Sequence, residues 1–349
     1  MTAQGEGLPR SGQYYSDDTV TLLLGDAHGV LCELPDESVD CIVTSPPYYG
    51  LRDYGTPGQY GLEETPAAYV EQMRQVFAEA RRVLTNDGTL WLNLGDSYSS
   101  GQGALNTGFN ERWHGEGTGG QRKQEKGRPS RRRDGAQVAA ARRSVTGMPA
   151  KNLLMIPERV AIALQDDGWI LRNKIVWHKT NAMPSSVQDR LSNRYEHLFL
   201  FSKSERYWFD LDPIREPHTM RPQRRPSGHK TRQKLGVLPA QTFSTSQRDD
   251  PGVDGHPLGR NPGDVWAIPT RPYTAAHFAV FPIDLPIRCI KAGCKPDGVV
   301  LDPFSGSGTT GEAARKLGRK YLGIDLNSAY HDLAKQRFVQ GVLDFGPAA

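Results

Sequence analysis

Short apolar runs and helix-spaced apolar residues alternate along the first hundred positions of the chain. Three such runs predict buried strands at residues 19–25, 39–43 and 89–94. Apolar side chains at helical spacing predict a helix at 66–84, after a shorter helix at 27–34, and Thr65-Pro66 is typical of a helix start. This β-α-β-α-β order favours a parallel sheet with helices on its faces.

The same two spacings return in the second half of the chain. They predict helices at 153–164, 284–293 and 310–317, strands at 169–177, 298–301 and 321–324, and a hairpin formed by 195–201 and 207–211. Together the elements predict an α/β protein with a doubly wound, mostly parallel sheet.

Two long segments interrupt this rhythm with glycine, proline and basic residues. Residues 97–150 hold ten Lys and Arg against four Asp and Glu, and residues 215–250 hold eight against three. The whole chain carries a net charge of only +4, so the remainder is acidic. Two basic insertions in an acidic body predict a polyanionic partner, although a solvated loop would show the same composition.

These breaks divide the chain into five parts. We expect a flexible N-terminus (1–18), a catalytic half (19–96 and 148–214), a basic Gly/Arg-rich insertion (97–147), a target-recognition or DNA-contact region (215–265) and a cofactor-binding half (266–349).

The composition of the 349 residues excludes some classes of protein. Hydrophobic residues make up 37% and mean hydropathy is −0.57, which fits a globular core with polar insertions. No apolar run is long enough for a membrane helix and the N-terminus lacks an apolar signal segment, so we expect a cytoplasmic protein without a membrane partner. The four cysteines match no zinc spacing, and no metal is predicted.

The first candidate site is Thr44-Ser45-Pro46-Pro47-Tyr48, directly after a predicted strand. Two prolines cannot extend the hydrogen-bonding ladder, because neither has an N–H and each fixes φ. A rigid loop with a hydroxyl and an aromatic ring is therefore expected at the carboxyl end of the strand, where open α/β sheets bind ligands. Taken alone, the motif is equally compatible with an ordinary turn.

The second candidate site is Asp302-Pro303-Phe304-Ser305-Gly306-Ser307-Gly308-Thr309-Thr310, between a predicted strand and a predicted helix. Glycines allow the backbone to approach a ligand closely, and Asp325 at the end of the next strand suits ribose hydroxyls. Gly311 satisfies the spacing of a dinucleotide loop, but the flanking residues do not resemble one. The lysine of a P-loop is absent.

Both motifs together resemble the amino-methylating DNA methyltransferases, and their order is similar to the circularly permuted β class of that family. The resemblance covers most of the chain outside the insertions. It implies a Rossmann-like fold, S-adenosylmethionine as cofactor and a catalytic motif formed by Ser45, Pro46, Pro47 and Tyr48. In that motif the Ser45 hydroxyl and the Pro46 carbonyl would accept hydrogen bonds from the amino group of a flipped base, and Tyr48 would stack on that base.

The resemblance also implies which residues bind the cofactor and the DNA. The expected cofactor residues are Asp26, His277, Phe281, Asp302, Phe304, Gly306, Gly308, Thr309 and Asp325. The expected contacts to the phosphates of double-stranded DNA are Arg131, Arg132, Arg133, Arg142 and Arg143.

In this family a leading serine in the catalytic motif usually accompanies N4-methylcytosine, whereas Asp or Asn accompanies N6-methyladenine. Ser45 therefore favours cytosine, with adenine as the alternative. A catalytically silent DNA-binding protein and an RNA or small-molecule acceptor are further alternatives. The family also suggests a bacterial, archaeal or phage origin, association with the nucleoid through DNA, and a cognate restriction endonuclease or a homodimer as partners.

Overall fold

The computed structural model describes residues 12–99, 148–218, 256–271 and 281–343. These residues form nine strands and six helices. The strands are β1 (Gln13–Ser16), β2 (Val20–Leu24), β3 (Val39–Thr44), β4 (Leu84–Leu94), β5 (Ile170–His178), β6 (Tyr195–Ser202), β7 (Val265–Ala267), β8 (Val299–Asp302) and β9 (Lys320–Asp325). The helices are α1 (Ala27–Glu33), α2 (Pro66–Val83), α3 (Ile156–Asp166), α4 (Asp284–Gly293), α5 (Thr309–Lys316) and α6 (Ser328–Leu343).

All nine strands belong to one sheet, in the order β1-β2-β9-β8-β3-β4-β6-β5-β7. β1 and β6 run antiparallel to their neighbours, and the other pairs are parallel. β3 and β8, the strands that lead into the two motifs, are adjacent in the centre of the sheet. The two motifs therefore emerge side by side at the carboxyl edge of the sheet.

Helices cover both faces of the sheet. α1, α2 and α3 pack together over one face, where Ile42 and Leu92 point into their core. α4, α5 and α6 form the second layer, whose core includes Cys41 and Trp91. Neighbouring strand residues thus enter opposite cores, which explains why these strands are continuously apolar rather than alternating.

The helix starts follow their sequence signals. Thr65 Oγ1 accepts a hydrogen bond from Ala68 N at 3.1 Å, and Pro66 stands in the first turn of α2, where its missing N–H costs nothing. Asp26 caps α1 in the same way by accepting from Gly29 N at 2.9 Å.

The predicted hairpin of 195–201 and 207–211 is wrong. β6 pairs with β4 on one edge and with β5 on the other, so neither edge is open to residues 207–211. In that segment Trp208 N donates to Asp87 O and Asp210 N donates to Ala292 O. β1, β7 and α6 were not predicted.

The described chain on either side of the first basic insertion is held together. Ser99 N donates to Asn152 O at 2.8 Å and Leu154 N donates to Ser97 O at 3.0 Å. This pairing directly follows β4, so the insertion departs from the same sheet edge as the two motifs. At the end of the second basic segment, the expected boundary between 265 and 266 falls inside β7.

Candidate active site

The loop of residues 45–48, called the proline loop here, leaves the carboxyl end of β3 and is fixed by neighbouring backbone and side chains. Tyr69 OH on α2 donates to Pro47 O at 2.9 Å. Gly61 lies so close that a Cβ added to it would stand 2.9 Å from Tyr48 O, which explains its glycine at φ +94°. Among the residues that the structure describes, no hydrogen bond reaches the Pro46 carbonyl oxygen.

The proline loop is joined to the second motif by a buried carboxylate. Thr44 Oγ1 donates to Asp302 Oδ1 at 2.6 Å, across 258 residues of sequence. Thr310 Oγ1 donates to Asp302 Oδ2 at 2.7 Å, and Phe304 N donates to Oδ1 at 3.1 Å. Asp302 is 2% exposed, so these bonds offset its desolvation and tie β3, β8 and α5 together.

The loop of residues 303–308, called the glycine loop here, is shaped by Asp325 at the end of β9. Gly306 N donates to Asp325 Oδ2 at 2.8 Å, and Asn327 N donates to Oδ1 at 2.8 Å. Gly306 has φ +50°, and a Cβ added there would project into open space. Gly308 has φ +76°, but a Cβ there would stand 2.8 Å from Ala334 Cβ on α6. Gly306 thus adjoins open space, and Gly308 serves packing.

Burial raises the pKa of both carboxylic acids at this end of the site. The pKa of Asp302 rises to about 6, chiefly through desolvation and against the hydrogen bonds that it accepts. The pKa of Asp325 also rises to about 6 through desolvation. Two carboxyl groups that ionise close to neutral pH are suited to meet a positively charged ligand.

A cavity of about 860 Å³ lies between the two loops. At the glycine-loop end it is lined by Asp302, Phe304, Gly306, Thr309, Asp325 and Tyr330, and at the proline-loop end by Ser45, Pro46, Pro47, Tyr48, Asn93, Trp177, Lys179, Glu196 and Phe281. Its volume is near the upper end of the usual range for small-molecule sites, which is about 300–1,000 Å³.

Four side chains at the proline-loop end form one polar cluster: Tyr48, Asn93, Lys179 and Glu196. Tyr48 OH donates to Glu196 Oε2 at 2.8 Å and lies 3.1 Å from Asn93 Oδ1. Ser45 Oγ donates to Tyr48 OH at 3.3 Å. Glu196 forms an ion pair with Lys179, whose ammonium also lies over the Trp177 ring. Burial and the nearby Glu196 charge raise the pKa of Tyr48 well above its ordinary value.

Asp26 is fully engaged beside the cavity. Its Oδ2 caps α1, and its Oδ1 accepts from Tyr60 OH at 2.7 Å. The Tyr60 ring meets Phe304 edge-on, with 5.5 Å between centroids. Asp26 itself is not among the cavity-lining residues, whereas its neighbours Gly25 and Ala27 are.

The remaining predicted residues differ in where they lie. Phe281 lines the cavity, and Thr309 Oγ1 accepts from Arg337 at 3.0 Å. His277 and the five arginines Arg131, Arg132, Arg133, Arg142 and Arg143 lie outside the described residues.

Sequence reasoning misses Asn93, Glu196, Tyr60 and Tyr330 as site residues. Asn93 and Glu196 carry a weak signal, because each is a polar residue within or beside an apolar strand run. Tyr60 and Tyr330 carry none, since tyrosines in loops and helices are common and only the tertiary structure brings them to the cavity.

Comparisons with known proteins agree with this geometry. Residues 39–336 match the model of the DNA methylase family (N6_N4_Mtase). The type II methyltransferase M.Cfr9I of Citrobacter freundii is 41% identical over 317 residues, covering 91% of this chain and 87% of its own.

Solved structures give the same picture of the fold. The PvuII DNA methyltransferase (cytosine-N4-specific) superposes with a TM-score of 0.60 at 18% identity, covering 94% of this chain and 89% of its own. TTHA0409 of Thermus thermophilus, described as a DNA modification methylase and complexed with S-adenosyl-L-methionine, gives 0.53 at 25% identity, covering 93% and 96%.

A DNA methyltransferase of Rossmann-like fold is thus the class that fold and site define, as the resemblance of the two motifs predicted. The chain belongs to the DNA methylase family whose members methylate amino groups of adenine or cytosine.

Proposed function

We propose that this protein transfers a methyl group from S-adenosylmethionine to the exocyclic N4 of cytosine in double-stranded DNA. The observation that carries the proposal is the Thr44–Asp302 hydrogen bond of 2.6 Å, which holds the proline loop and the glycine loop at the two ends of one cavity. A methyl donor at one end and an acceptor base at the other would meet between them.

The residues at the glycine-loop end fit such a donor. Asp325 suits the ribose hydroxyls, and Asp302 together with Asp325 supplies negative charge for a cationic ligand. The open space next to Gly306 admits a ligand directly against the backbone. When bound, S-adenosylmethionine supplies an electrophilic methyl group on sulfur, so the chain itself needs to position the acceptor and provides no nucleophile.

At the proline-loop end the chain orients the acceptor amine. An amino nitrogen conjugated to a base is a weak nucleophile, because its lone pair is delocalised into the ring. Ser45 Oγ and the Pro46 carbonyl accept its two hydrogens and favour a more tetrahedral nitrogen. The adjacent Pro47 holds that carbonyl in place. Tyr48, anchored through its hydroxyl, gives the flipped base a ring to stack on.

The choice of cytosine rests on Ser45. Serine offers a neutral oxygen, whereas aspartate at this position would offer a charged one, and in this family the two usually accompany cytosine and adenine respectively. N6-adenine methylation is the second candidate function, because the same clamp accommodates any exocyclic amino group.

Duplex binding is assigned to the basic insertions. The chain on either side of residues 97–147 is paired beside the end of β4, at the edge of the sheet that carries the cavity. Arg131, Arg132, Arg133, Arg142 and Arg143 neutralise phosphates, and binding therefore weakens as salt rises. Residues 215–265 contribute target recognition. A cognate restriction endonuclease is proposed as partner, in keeping with type II methyltransferases among the relatives.

The test is to express the protein in cells that lack DNA methylation and to sequence their DNA with a method that separates N4-methylcytosine from N6-methyladenine. We expect N4-methylcytosine at one recurring sequence, and none with Ser45→Ala. N6-methyladenine would establish the second candidate instead. No modified base, with purified protein that still binds DNA, would identify a silent DNA-binding protein.

A further inference from the structure

The hydroxyl of Ser45 can serve the target amine as acceptor only if its own proton points elsewhere. A serine hydroxyl both donates and accepts, so the loop alone does not fix this direction. The surroundings of Tyr48 do, because two oxygen acceptors converge on its hydroxyl: Glu196 Oε2 at 2.8 Å and Asn93 Oδ1 at 3.1 Å.

The two acceptors are themselves fixed. Asn93 Nδ2 donates to His197 O at 3.1 Å, which turns the amide oxygen towards Tyr48. Glu196 Oε1 pairs with Lys179, which leaves Oε2 for Tyr48. Tyr48 has a single hydroxyl proton, and both acceptors draw it away from Ser45. The phenol oxygen can then only accept from Ser45, at 3.3 Å.

We propose that Glu196 is a positioning residue that sets the direction of a hydrogen-bond chain, from target amine to Ser45 to Tyr48 to Glu196, and so makes the neutral serine a dedicated acceptor. This inference rests on the proposed function. An ionised carboxylate at the end of the chain also strengthens each bond before it, since charge-assisted bonds are stronger and hydrogen bonds in series polarise one another.

Lys179 stabilises the buried end of this hydrogen-bond chain. Glu196 and Lys179 side chains are 15% and 23% exposed, so a lone carboxylate here would be poorly solvated. The ammonium compensates that charge without touching Tyr48. Lys179 and Glu196 therefore differ in function, although they form one ion pair, and this difference makes the proposal testable.

The test compares Glu196→Gln with Lys179→Gln in single-turnover methyl transfer to DNA. Glu196→Gln removes the ionised acceptor, and we expect the rate to fall roughly 10- to 100-fold, as for loss of a charge-assisted hydrogen bond. Lys179→Gln removes the same ion pair but keeps the carboxylate, so its loss should stay within about fivefold. Affinity for S-adenosylmethionine should not change in either variant.

A double-mutant cycle with Tyr48→Phe separates positioning from general damage. The hydroxyl that links Ser45 to Glu196 is absent in Tyr48→Phe, and adding Glu196→Gln should then cause no further loss. If Glu196→Gln does not fold, the variant Glu196→Gln with Lys179→Gln avoids an unpaired lysine and carries the same expectation.

Three results would overturn the proposal: full rate in Glu196→Gln, equal losses in the two single variants, or multiplicative losses in the cycle. Each presupposes that the wild-type protein methylates DNA. A wild-type protein without transfer would instead refute the proposed function and leave these comparisons without a signal.

Discussion

The two ends of the cavity are built in different ways. At the glycine-loop end, residues 302–310 and Asp325 lie within one β-α-β unit, and backbone amides and buried carboxylates shape the site. At the proline-loop end, the polar cluster collects side chains from the β3 loop, β4, the end of β5 and β6. The first end is written in a short stretch of sequence, whereas the second depends on which strands are neighbours.

The difference predicts that single substitutions act on different quantities at the two ends. Changes at the proline-loop end should alter the rate of transfer and leave cofactor binding intact. Changes at the glycine-loop end should alter cofactor affinity or stability. The following experiments test this separation, beginning with the largest expected effect.

Ser45→Ala removes one of the two acceptors for the target amine. We expect the rate of methyl transfer to fall about 100- to 1,000-fold, the size found for removing one preorganised hydrogen-bonding group from an active site. Calorimetry should give an unchanged affinity for S-adenosylmethionine. Ser16→Ala, in an exposed position on β1, is the matched control and should keep the full rate. A comparable fall in cofactor affinity would contradict the separation.

Gly308→Ala and Gly306→Ala compare packing with ligand contact inside the glycine loop. Both positions have positive φ, which costs an alanine about 1–2 kcal/mol. Gly308→Ala adds a clash with α6, and we expect a total loss of about 2–5 kcal/mol in the free energy of unfolding. Gly306→Ala places its methyl group in open space and should lose only the first part, but bind the cofactor more weakly.

Urea denaturation and calorimetry on both glycine variants measure the two quantities. Equal losses of stability would show that the contact of Gly308 with Ala334 is relieved by a small shift of α6. An unchanged cofactor affinity in Gly306→Ala would remove that residue from the site.

Cofactor affinity should depend on pH through the raised carboxyl pKa values. Asp302 and Asp325 each have a pKa of about 6 in the ligand-free protein, and their ionised forms favour a cationic ligand. Affinity should therefore hold above pH 7 and decline as the pH falls through 6, reaching roughly tenfold weaker binding at pH 5 for one such group. Titrations between pH 5 and 8 check this.

Asp325→Asn gives the control for the pH experiment. It should bind more weakly at pH 8 and show a shallower pH dependence, because only Asp302 still titrates. Asp332→Asn, on the exposed part of α6, should retain the wild-type profile. A flat profile in the wild-type protein would mean that neither carboxyl group changes ionisation on binding.

Tyr60→Phe should have the smallest effect. It deletes the hydroxyl that donates to Asp26 Oδ1 at 2.7 Å and keeps the ring that contacts Phe304. We expect a loss of about 1 kcal/mol in the free energy of unfolding and only a severalfold loss of cofactor affinity. Thermal unfolding with and without cofactor measures both, and a loss of transfer rate at saturating cofactor would contradict the assignment of Tyr60 to the glycine-loop end.

Much of the fold could be predicted because its signals are local. The start of α2 follows from Thr65 and Pro66, and the apolar runs of β3 and β8 follow from burial on both faces. The failed hairpin shows the limit of such signals. Residues 207–211 have a strand-like composition, yet β6 already has a neighbour on each edge, and sheet order is not a local property.

The sequence by itself determined the two loops, their order along the chain and the family to which they belong, because prolines and glycines fix backbone geometry wherever they stand. Only the tertiary structure decided what surrounds Ser45. Glu196 and Asn93 reach Tyr48 because β6 inserts antiparallel beside β4, and Thr44 reaches Asp302 because β3 lies beside β8. Hydrogen bonds between such distant residues depend on strand neighbours that no short stretch of sequence specifies.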